Sequence, residues 1–211
     1  MGRGGEKLKL AIDRIGLDLT GKVGADFGCN VGGFTDCMLQ EGAVRVYAVD
    51  TGYGMLAWKL RQDPRVTSIE RTNVRTLQAL PGNALADLAV IDVSFIGLEL
   101  VLPIVDRFLQ PAGHIIALIK PQFEAGRGQV GKGGVVKDPA VHRQVLERVL
   151  GWAIRHGWLV GGLVRSPITG PKGNVEFLCL LVHGQSEHRV ELDDLIGQVL
   201  STGEDAPSSG P

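Results

Sequence analysis

Short apolar runs alternate along this chain with longer stretches in which apolar residues recur every three or four positions. The first pattern is typical of buried strands and the second of amphipathic helices, so their alternation favours an α/β fold on a mostly parallel sheet. The apolar runs predict seven strands, at residues 23–25, 44–49, 65–69, 87–93, 114–119, 158–164 and 175–182. The helical spacing predicts helices at residues 6–17, 56–60, 98–109 and 138–153, and one directly after residue 33.

A glycine-rich turn, D-F-G-C-N-V-G-G-F-T-D at residues 26–36, joins the first predicted strand to a helix. Gly28, Gly32 and Gly33 let the backbone bend sharply, and the amide groups at the helix start are free to bind a ligand. Asp50 follows the second strand, 22 residues after Gly28, where an acid can bind both hydroxyls of a ribose. The combination predicts an adenosine-type cofactor site.

The residues inside the turn distinguish between cofactors. A dinucleotide fingerprint requires glycine where this chain has Asn30. Asp26 would repel a pyrophosphate but would attract a cationic group, such as the amino acid portion and sulfonium of S-adenosylmethionine. The alternative is a turn that serves only to pack the helix against the strand.

Two charged residues follow the central predicted strands. Asp92 ends the fourth strand and Lys120 ends the fifth, so both are expected at the edge of the sheet that carries Asp26. The alternatives are an Asp92 that caps a helix and a Lys120 that is simply solvated. Asn73, after the third strand, is equally suited to bind an adenine edge or to cap residues 74–80.

Two further charged residues are candidates for the same cleft. Glu176 lies within the seventh apolar run, and a buried glutamate needs a cationic partner, for which a buried lysine is the natural choice. Lys7 lies in the first turn of the first helix, after a flexible basic stretch at residues 2–5. The alternatives are an exposed Glu176 on an edge strand and a solvated Lys7.

Absent motifs narrow the chemistry. The fourth strand ends in D-V-S-F rather than in the Asn/Asp-Pro-Pro-aromatic turn of amine methylation, and no Pro-Cys pair supplies a nucleophile for methylation at pyrimidine carbon. The lysine and carboxylate set of Lys7, Asp92, Lys120 and Glu176 suits a hydroxyl acceptor, whose proton must be removed by a base. No metal is required by this scheme.

Composition and charge bound the class of protein. The 211 residues, 44% of them hydrophobic, suffice for one domain with a full core, and no apolar run is long enough for a membrane helix. Three cysteines without metal spacing favour a reducing cytoplasm. Residues 184–211 hold six acids and one base, which leaves 21 basic and 17 acidic residues in 1–183. We expect residues 1–183 to form the domain and 184–211 to be an acidic, partly disordered segment.

The long basic loop at residues 122–137 resembles a phosphate loop, but Gly133 replaces the Ser/Thr that such a loop requires. Nucleotide triphosphate binding is therefore rejected. Loops of this length in compact domains are usually functional, and a lid or a substrate clamp is expected here.

Many motifs in order resemble one known family: R-G-G-E-K-L, the glycine turn, V-Y-A-V-D-T-G-Y-G, L-R-Q-D-P-R-V, E-R-T-N-V-R, D-V-S-F-I, K-P-Q-F-E, V-G-K-G-G-V-V-K-D-P and G-P-K-G-N-V-E-F. They are similar to those of the TlyA-type hemolysin/ribosomal RNA methyltransferases, relatives of the FtsJ-type 2′-O-methyltransferases. The resemblance implies a Rossmann-like, seven-stranded, S-adenosylmethionine-dependent methyltransferase fold with an antiparallel last strand. It also implies 2′-O-methylation of cytidines in ribosomal RNA or a ribosomal subunit.

The resemblance assigns roles to particular residues. The catalytic Lys-Asp-Lys-Glu tetrad of the family falls on Lys7, Asp92, Lys120 and Glu176. The S-adenosylmethionine contacts fall on Asp26, Gly28, Asn30, Gly32, Gly33, Phe34, Asp50, Asn73 and Asp92. RNA contacts are expected from Arg3, Arg127, Lys132 and Lys172. Family members usually carry an S4-like RNA-binding domain ahead of the R-G-G segment, where this sequence starts.

Two other functions remain open at this point. One is a cofactor-binding module without catalysis, acting as a hemolysin-like or ribosome-associated interaction protein. The other is a small-molecule O-methyltransferase, which would have an apolar acceptor pocket rather than an open basic cleft.

Overall fold

The computed structural model describes residues 2–126, 128–183 and 192–201. Its strands form one seven-stranded sheet in the order β3-β2-β1-β4-β5-β7-β6. The first five strands run parallel, and β7 lies antiparallel between β5 and β6. The predicted α/β class and the antiparallel last strand are therefore confirmed. The strands are β1 (Val23–Phe27), β2 (Arg45–Val49), β3 (Val66–Ile69), β4 (Ala86–Ile91), β5 (Leu109–Ile119), β6 (Trp158–Arg165) and β7 (Phe177–His183).

Helices cover both faces of the sheet, and each face has its own apolar core. One core contains side chains of α1, α2 and α3, and the other contains side chains of α4, α6 and α7. None of the helices in the described ranges is long and apolar enough to cross a membrane. The helices are α1 (Arg3–Ile15), α2 (Gly33–Gln40), α3 (Trp58–Arg61), α4 (Leu98–Val105), α5 (Pro121–Glu124), α6 (Pro139–Arg155) and α7 (Leu192–Ser201).

The topology brings distant parts of the chain to one edge of the sheet. The parallel strands β1, β2, β4 and β5 all end at this edge, so the residues directly after them are neighbours. Because β7 runs antiparallel to β5, its first residue, Phe177, pairs with Ile119 at the end of β5. Glu176, which directly precedes β7, therefore lies beside Lys120 at the same edge.

The expectation of a flexible stretch at residues 2–5 is wrong, because α1 begins at Arg3. Gly4 and Gly5 lie in its first turn and allow a close crossing with α2. A Cβ atom added at Gly33 would lie 3.0 Å from Gly4 Cα and 3.0 Å from Gly5 N. The tertiary contact between the helices thus outweighs the poor helix propensity of glycine.

Two other boundaries differ from the sequence patterns. The helix predicted at residues 98–109 ends at Val105, and β5 already begins at Leu109. Most of the segment 184–211, for which partial disorder was expected, lies outside the described residues. Its described part is α7, which buries Ile196 and Val199.

Candidate active site

A cleft at the carboxyl edge of the sheet consists of two adjoining cavities of about 620 and 590 Å³. The first extends from Asp50 to Lys120, and the second lies between the start of α1 and the glycine turn. Both are lined by Lys7, Gly28, Asn30 and Asp92. This junction is where a ligand in one cavity would meet a ligand in the other.

Gly28 sets the distance between the turn and the residues after β4. Its φ of +89° is unfavourable for any residue with a side chain. A Cβ atom at this position would lie 2.3 Å from the carbonyl oxygen of Asp92. Only glycine therefore allows the turn and Asp92 to approach this closely.

Asp50 supports the turn from β2 with both carboxylate oxygens. Its Oδ2 accepts a hydrogen bond from the amide of Asn30 at 2.8 Å, and its Oδ1 accepts one from the amide of Gly52 at 2.7 Å. Asn30 has a φ of +48°, a left-handed conformation that asparagine tolerates better than most residues. Each oxygen of Asp50 retains a lone pair that can accept a hydrogen bond from a ligand hydroxyl.

Asp26 is fully buried at the end of β1, behind the turn. Its Oδ2 accepts hydrogen bonds from the amide of Thr35 at 2.9 Å and from its hydroxyl at 2.6 Å. Its Oδ1 has no hydrogen-bond partner among the described residues. Burial raises the pKa of Asp26 to about 7, and repulsion by Asp92 acts in the same direction. A cationic group bound near the unpartnered oxygen would stabilise the ionised form of this carboxyl.

The other residues predicted around the cofactor have mixed roles. Gly32 has a φ of +90° and lets Leu60 of α3 pack against the turn. Phe34 is buried in α2 but still lines the second cavity. Asn73 lines the first cavity, and its Oδ1 accepts a hydrogen bond from the amide of Arg75 at 3.0 Å. Asn73 therefore both lines the cavity and caps a turn at the start of residues 74–80.

Lys120 and Asp92 form an ion pair at the junction of the cavities. Lys120 Nζ lies 2.5 Å from Asp92 Oδ1 and also donates a hydrogen bond to Ser94 Oγ at 3.1 Å. Only 11% of the Lys120 side chain is exposed, so its amine is held in one place. The alternative of a solvated surface lysine is wrong.

Lys7 and Glu176 form a second, deeper ion pair. Lys7 Nζ donates to Glu176 Oε2 at 2.5 Å, and the carboxyl side chain is fully buried. Glu176 directly precedes β7, an interior strand, so the alternative of an exposed edge position is wrong. Gly170 makes room for it, since a Cβ atom there would lie 2.0 Å from Glu176 Oε1. Each of the two carboxylates therefore holds one lysine, and the cationic partner expected for Glu176 is Lys7.

The sequence profile of the FtsJ-like methyltransferases matches residues 1–182 of this chain. The chain belongs to the FtsJ-like methyltransferase family. The 16S/23S rRNA (cytidine-2′-O)-methyltransferase TlyA of Mycobacterium tuberculosis is 41% identical over 204 residues, which cover 95% of this chain and 76% of TlyA. A provisionally named rRNA methyltransferase of Bacillus subtilis, YqxC, is 48% identical over 91% of this chain and 69% of its own length.

A solved structure of a provisionally named hemolysin from Lactococcus lactis is also similar to this FtsJ-like methyltransferase. Its TM-score is 0.89 at 44% identity, with 97% of this chain and 98% of that chain covered. The methyltransferase fold predicted from the sequence is thus confirmed. In the described ranges, no group of three or more histidine, cysteine or acidic side chains is placed to hold a metal ion.

Of the basic residues expected to contact RNA, Arg3 and Lys172 line the second cavity of this FtsJ-like methyltransferase. Arg3 is exposed and donates a hydrogen bond to the carbonyl oxygen of Thr169 at 3.2 Å. Lys132 is exposed on the long loop, and Lys172 Nζ donates to the carbonyl oxygen of Gly133 at 2.8 Å. Lys172 therefore also links two loops. Arg127 lies outside the described residues.

Sequence reasoning missed three residues of the site. Thr35 holds the buried Asp26, and Ser94 contacts Lys120. Phe95 is 88% exposed at the rim of the first cavity and has a φ of +64°. Its ring packs against that of Phe123 in a tilted arrangement, with ring centroids 4.7 Å apart. A bulky side chain with positive φ is strained, and such strain is concentrated at functional sites. The only signal in the sequence was an aromatic residue two positions after the apolar run at residues 87–93.

Proposed function

We propose that this protein is an S-adenosylmethionine-dependent methyltransferase that methylates the ribose 2′-hydroxyl of cytidines in ribosomal RNA. The observation that carries the proposal is the pair of lysine–carboxylate contacts, Lys120–Asp92 and Lys7–Glu176, beside the nucleoside-type cleft. The names of the relatives, among them an rRNA (cytidine-2′-O)-methyltransferase, support the same substrate.

The residues present fit the cofactor. Asp50 would accept hydrogen bonds from the ribose hydroxyls, and Asn73 lies on the wall available to the adenine. The unpartnered Oδ1 of Asp26 lies behind the second cavity, where the cationic amino acid portion would be stabilised by its charge. When bound, S-adenosylmethionine supplies an electrophilic methyl group on a sulfonium.

Lys120 is the residue that removes or steers the proton of the acceptor hydroxyl. In its neutral form the amine would accept the proton of the 2′-hydroxyl, which leaves the oxygen as the nucleophile, and the resulting ammonium would release that proton to solvent. Asp92 fixes the position of the amine at 2.5 Å. The buried Lys7–Glu176 pair lines the first cavity as well, and Glu176 holds the Lys7 ammonium in place there.

Phe95 suits a nucleotide acceptor. Its exposed ring, in contact with Phe123, offers a stacking surface at the rim of the cavity that Asp92 and Lys120 also line. Stacking of a base on an aromatic side chain contributes about 1–3 kcal/mol. A small-molecule methyltransferase would instead enclose such a ring within its acceptor pocket.

We expect Phe95→Ala to weaken RNA binding by about 5-fold to 100-fold, because the stacking surface is lost. Cofactor affinity, measured by calorimetry, should not change. The matched variant Phe95→Trp keeps the stacking surface and should retain RNA affinity. Equal affinities of the alanine variant and the wild type would show that no base stacks there.

Cofactor binding should depend on pH through Asp26. Because its pKa is raised to about 7, the carboxyl gains a proton, and loses its attraction for a cation, as the pH falls below that value. The affinity for S-adenosylmethionine should therefore rise about eightfold between pH 6 and pH 7.5, following the ionised fraction. In Asp26→Asn this pH dependence should disappear. The same slope in both proteins would assign it to another group.

The proposed function is tested by transfer of a labelled methyl group to separated ribosomal subunits and to the purified RNA of each. A catalytic methyltransferase labels one of these acceptors, and Lys120→Ala abolishes the labelling while cofactor binding survives. Cofactor binding without any labelling would favour the non-catalytic interaction protein. The sample that becomes labelled identifies the RNA acceptor. It also shows whether the enzyme acts on free RNA or on the assembled subunit.

A further inference from the structure

Glu124 connects the two segments that carry the charged residues at the cleft. It is the last residue of α5, four positions after Lys120, and its side chain is only 2% exposed. Its Oε1 accepts a hydrogen bond from the amide of Leu98 at 2.8 Å. Leu98 begins α4, six positions after Asp92. A single buried carboxylate therefore joins the segment after β5 to the segment after β4.

The second oxygen of Glu124 is fixed by an arginine from a third element. Arg148 of α6 donates from Nη2 to Glu124 Oε2 at 2.7 Å and to the Glu124 carbonyl oxygen at 2.9 Å. Its Nη1 donates to Glu99 in the first turn of α4. Because Arg148 binds residues of both segments, it locks the connection between them.

The contacts at the cleft span the same two segments. Lys120 contacts Asp92 and Ser94, and the ring of Phe123 packs against that of Phe95. Asp92 is partly exposed and Phe95 is largely exposed, so these contacts lie on the open side of the two segments. Beyond the paired ends of β4 and β5, Glu124 provides a buried contact between the same two segments.

We infer that Glu124, held by Arg148, is a positioning residue that aligns Lys120 with Asp92. The inference rests on the proposed function for its catalytic consequence, but the alignment itself is a property of the chain alone. Loss of the Glu124 carboxylate lets the two segments separate, so that Lys120 is no longer held against Asp92. Misplacement of a reacting group by about 1 Å lowers a rate by roughly 10²-fold.

The reactivity of individual lysines tests the alignment without any substrate. Wild type, Glu124→Ala and Glu124→Gln are treated with a limiting amine-acylating reagent, and the labelling rate of each lysine is measured by mass spectrometry. Lys120 should react about threefold to tenfold faster in Glu124→Ala, because its amine is less firmly held. Glu124→Gln keeps the acceptor for Leu98 but loses the charge opposite Arg148, so its effect should be smaller.

Controls separate positioning from general loosening. Lys59, which pairs with Asp36 and lines neither cavity, should react at the same rate in all variants. Glu99→Gln removes the other carboxylate bound by Arg148 but leaves both Glu124 contacts, so it should change the reactivity of Lys120 less than either Glu124 variant does. Should Glu124→Ala fail to fold, Glu124→Gln and Arg148→Met carry the test. An unchanged Lys120, or a parallel increase at Lys59, would overturn the inference.

The effect of the Glu124 carboxylate on catalysis is measured as the single-turnover rate of methyl transfer. Glu124→Ala should lower this rate about 10-fold to 10²-fold at unchanged cofactor affinity. In the Lys120→Ala background the same substitution should have no further effect, since its action passes through Lys120. If Glu124→Ala lowered the rate equally in the wild-type and Lys120→Ala backgrounds, the role of Glu124 would be purely structural. If the wild-type protein transfers no methyl group, the proposed function is wrong. The lysine reactivities would still show whether Glu124 aligns Lys120 with Asp92.

Discussion

Lys120→Ala is expected to lower the single-turnover rate of methyl transfer by about 10²–10⁴-fold, the usual contribution of a positioned acid or base. Lys120 Nζ is 2.5 Å from Asp92 and is almost excluded from solvent, so no other amine can take its place without moving the backbone. Affinity for the cofactor should be unchanged, because the glycine turn and Asp50 do not depend on this side chain. The measurement is rapid-quench methyl transfer with enzyme in excess over RNA.

Lys120→Arg is the matched control for this prediction. Arginine keeps the positive charge and the partner Asp92 but stays protonated at any accessible pH, so it cannot act as a base. We expect it to be as slow as the alanine variant. A rate near that of wild type would mean that charge alone, and not proton removal, is the contribution of Lys120.

Glu176→Leu is expected to destabilise the protein by about 3–5 kcal/mol, because it leaves Lys7 buried without its counter-charge. The carboxyl is fully buried and only 11% of the Lys7 side chain is exposed, so solvent screens this pair very little. The measurement is chemical denaturation, followed as the change in the free energy of unfolding. Methyl transfer should be lost as well.

A double variant separates stability from chemistry at this pair. Lys7→Met with Glu176→Leu replaces both charges by apolar groups of similar size, a change that is often neutral or stabilising for a buried ion pair. We expect it to regain most of the stability lost in Glu176→Leu but none of the activity. Recovery of activity together with stability would show that the pair serves only to hold the fold.

The proximity of Asp92 and Lys120 could be predicted from the sequence, because it follows from the geometry of a parallel sheet. Both come directly after apolar runs that form adjacent parallel strands, and such strands place their next residues at one edge of the sheet. Glu176 could be recognised as needing a cation because a carboxylate cannot be buried alone. The fold class could be predicted from the alternation of strand and helix patterns for the same local reasons.

The partnership of Lys7 with Glu176 and the helical start at Arg3 depend on tertiary contacts. Lys7 and Glu176 are 169 positions apart, and only the antiparallel insertion of β7 brings them together. Gly4 and Gly5 favour a flexible stretch locally, yet their lack of side chains is the feature that lets α1 cross α2 at Gly33. The exposure of Phe95 is likewise set by its left-handed backbone, which no hydrophobic pattern encodes.

Activation of a ribose hydroxyl by two lysine–carboxylate pairs can be tested on the product of the reaction itself. The protein is allowed to transfer a labelled methyl group to ribosomal subunits, the RNA is digested to nucleosides, and the labelled nucleoside is identified by mass spectrometry. We expect the label in 2′-O-methylcytidine, and no label when Lys120 is replaced by alanine. Label on a base, or equal labelling by the Lys120→Ala protein, would show that these pairs do not activate a ribose hydroxyl.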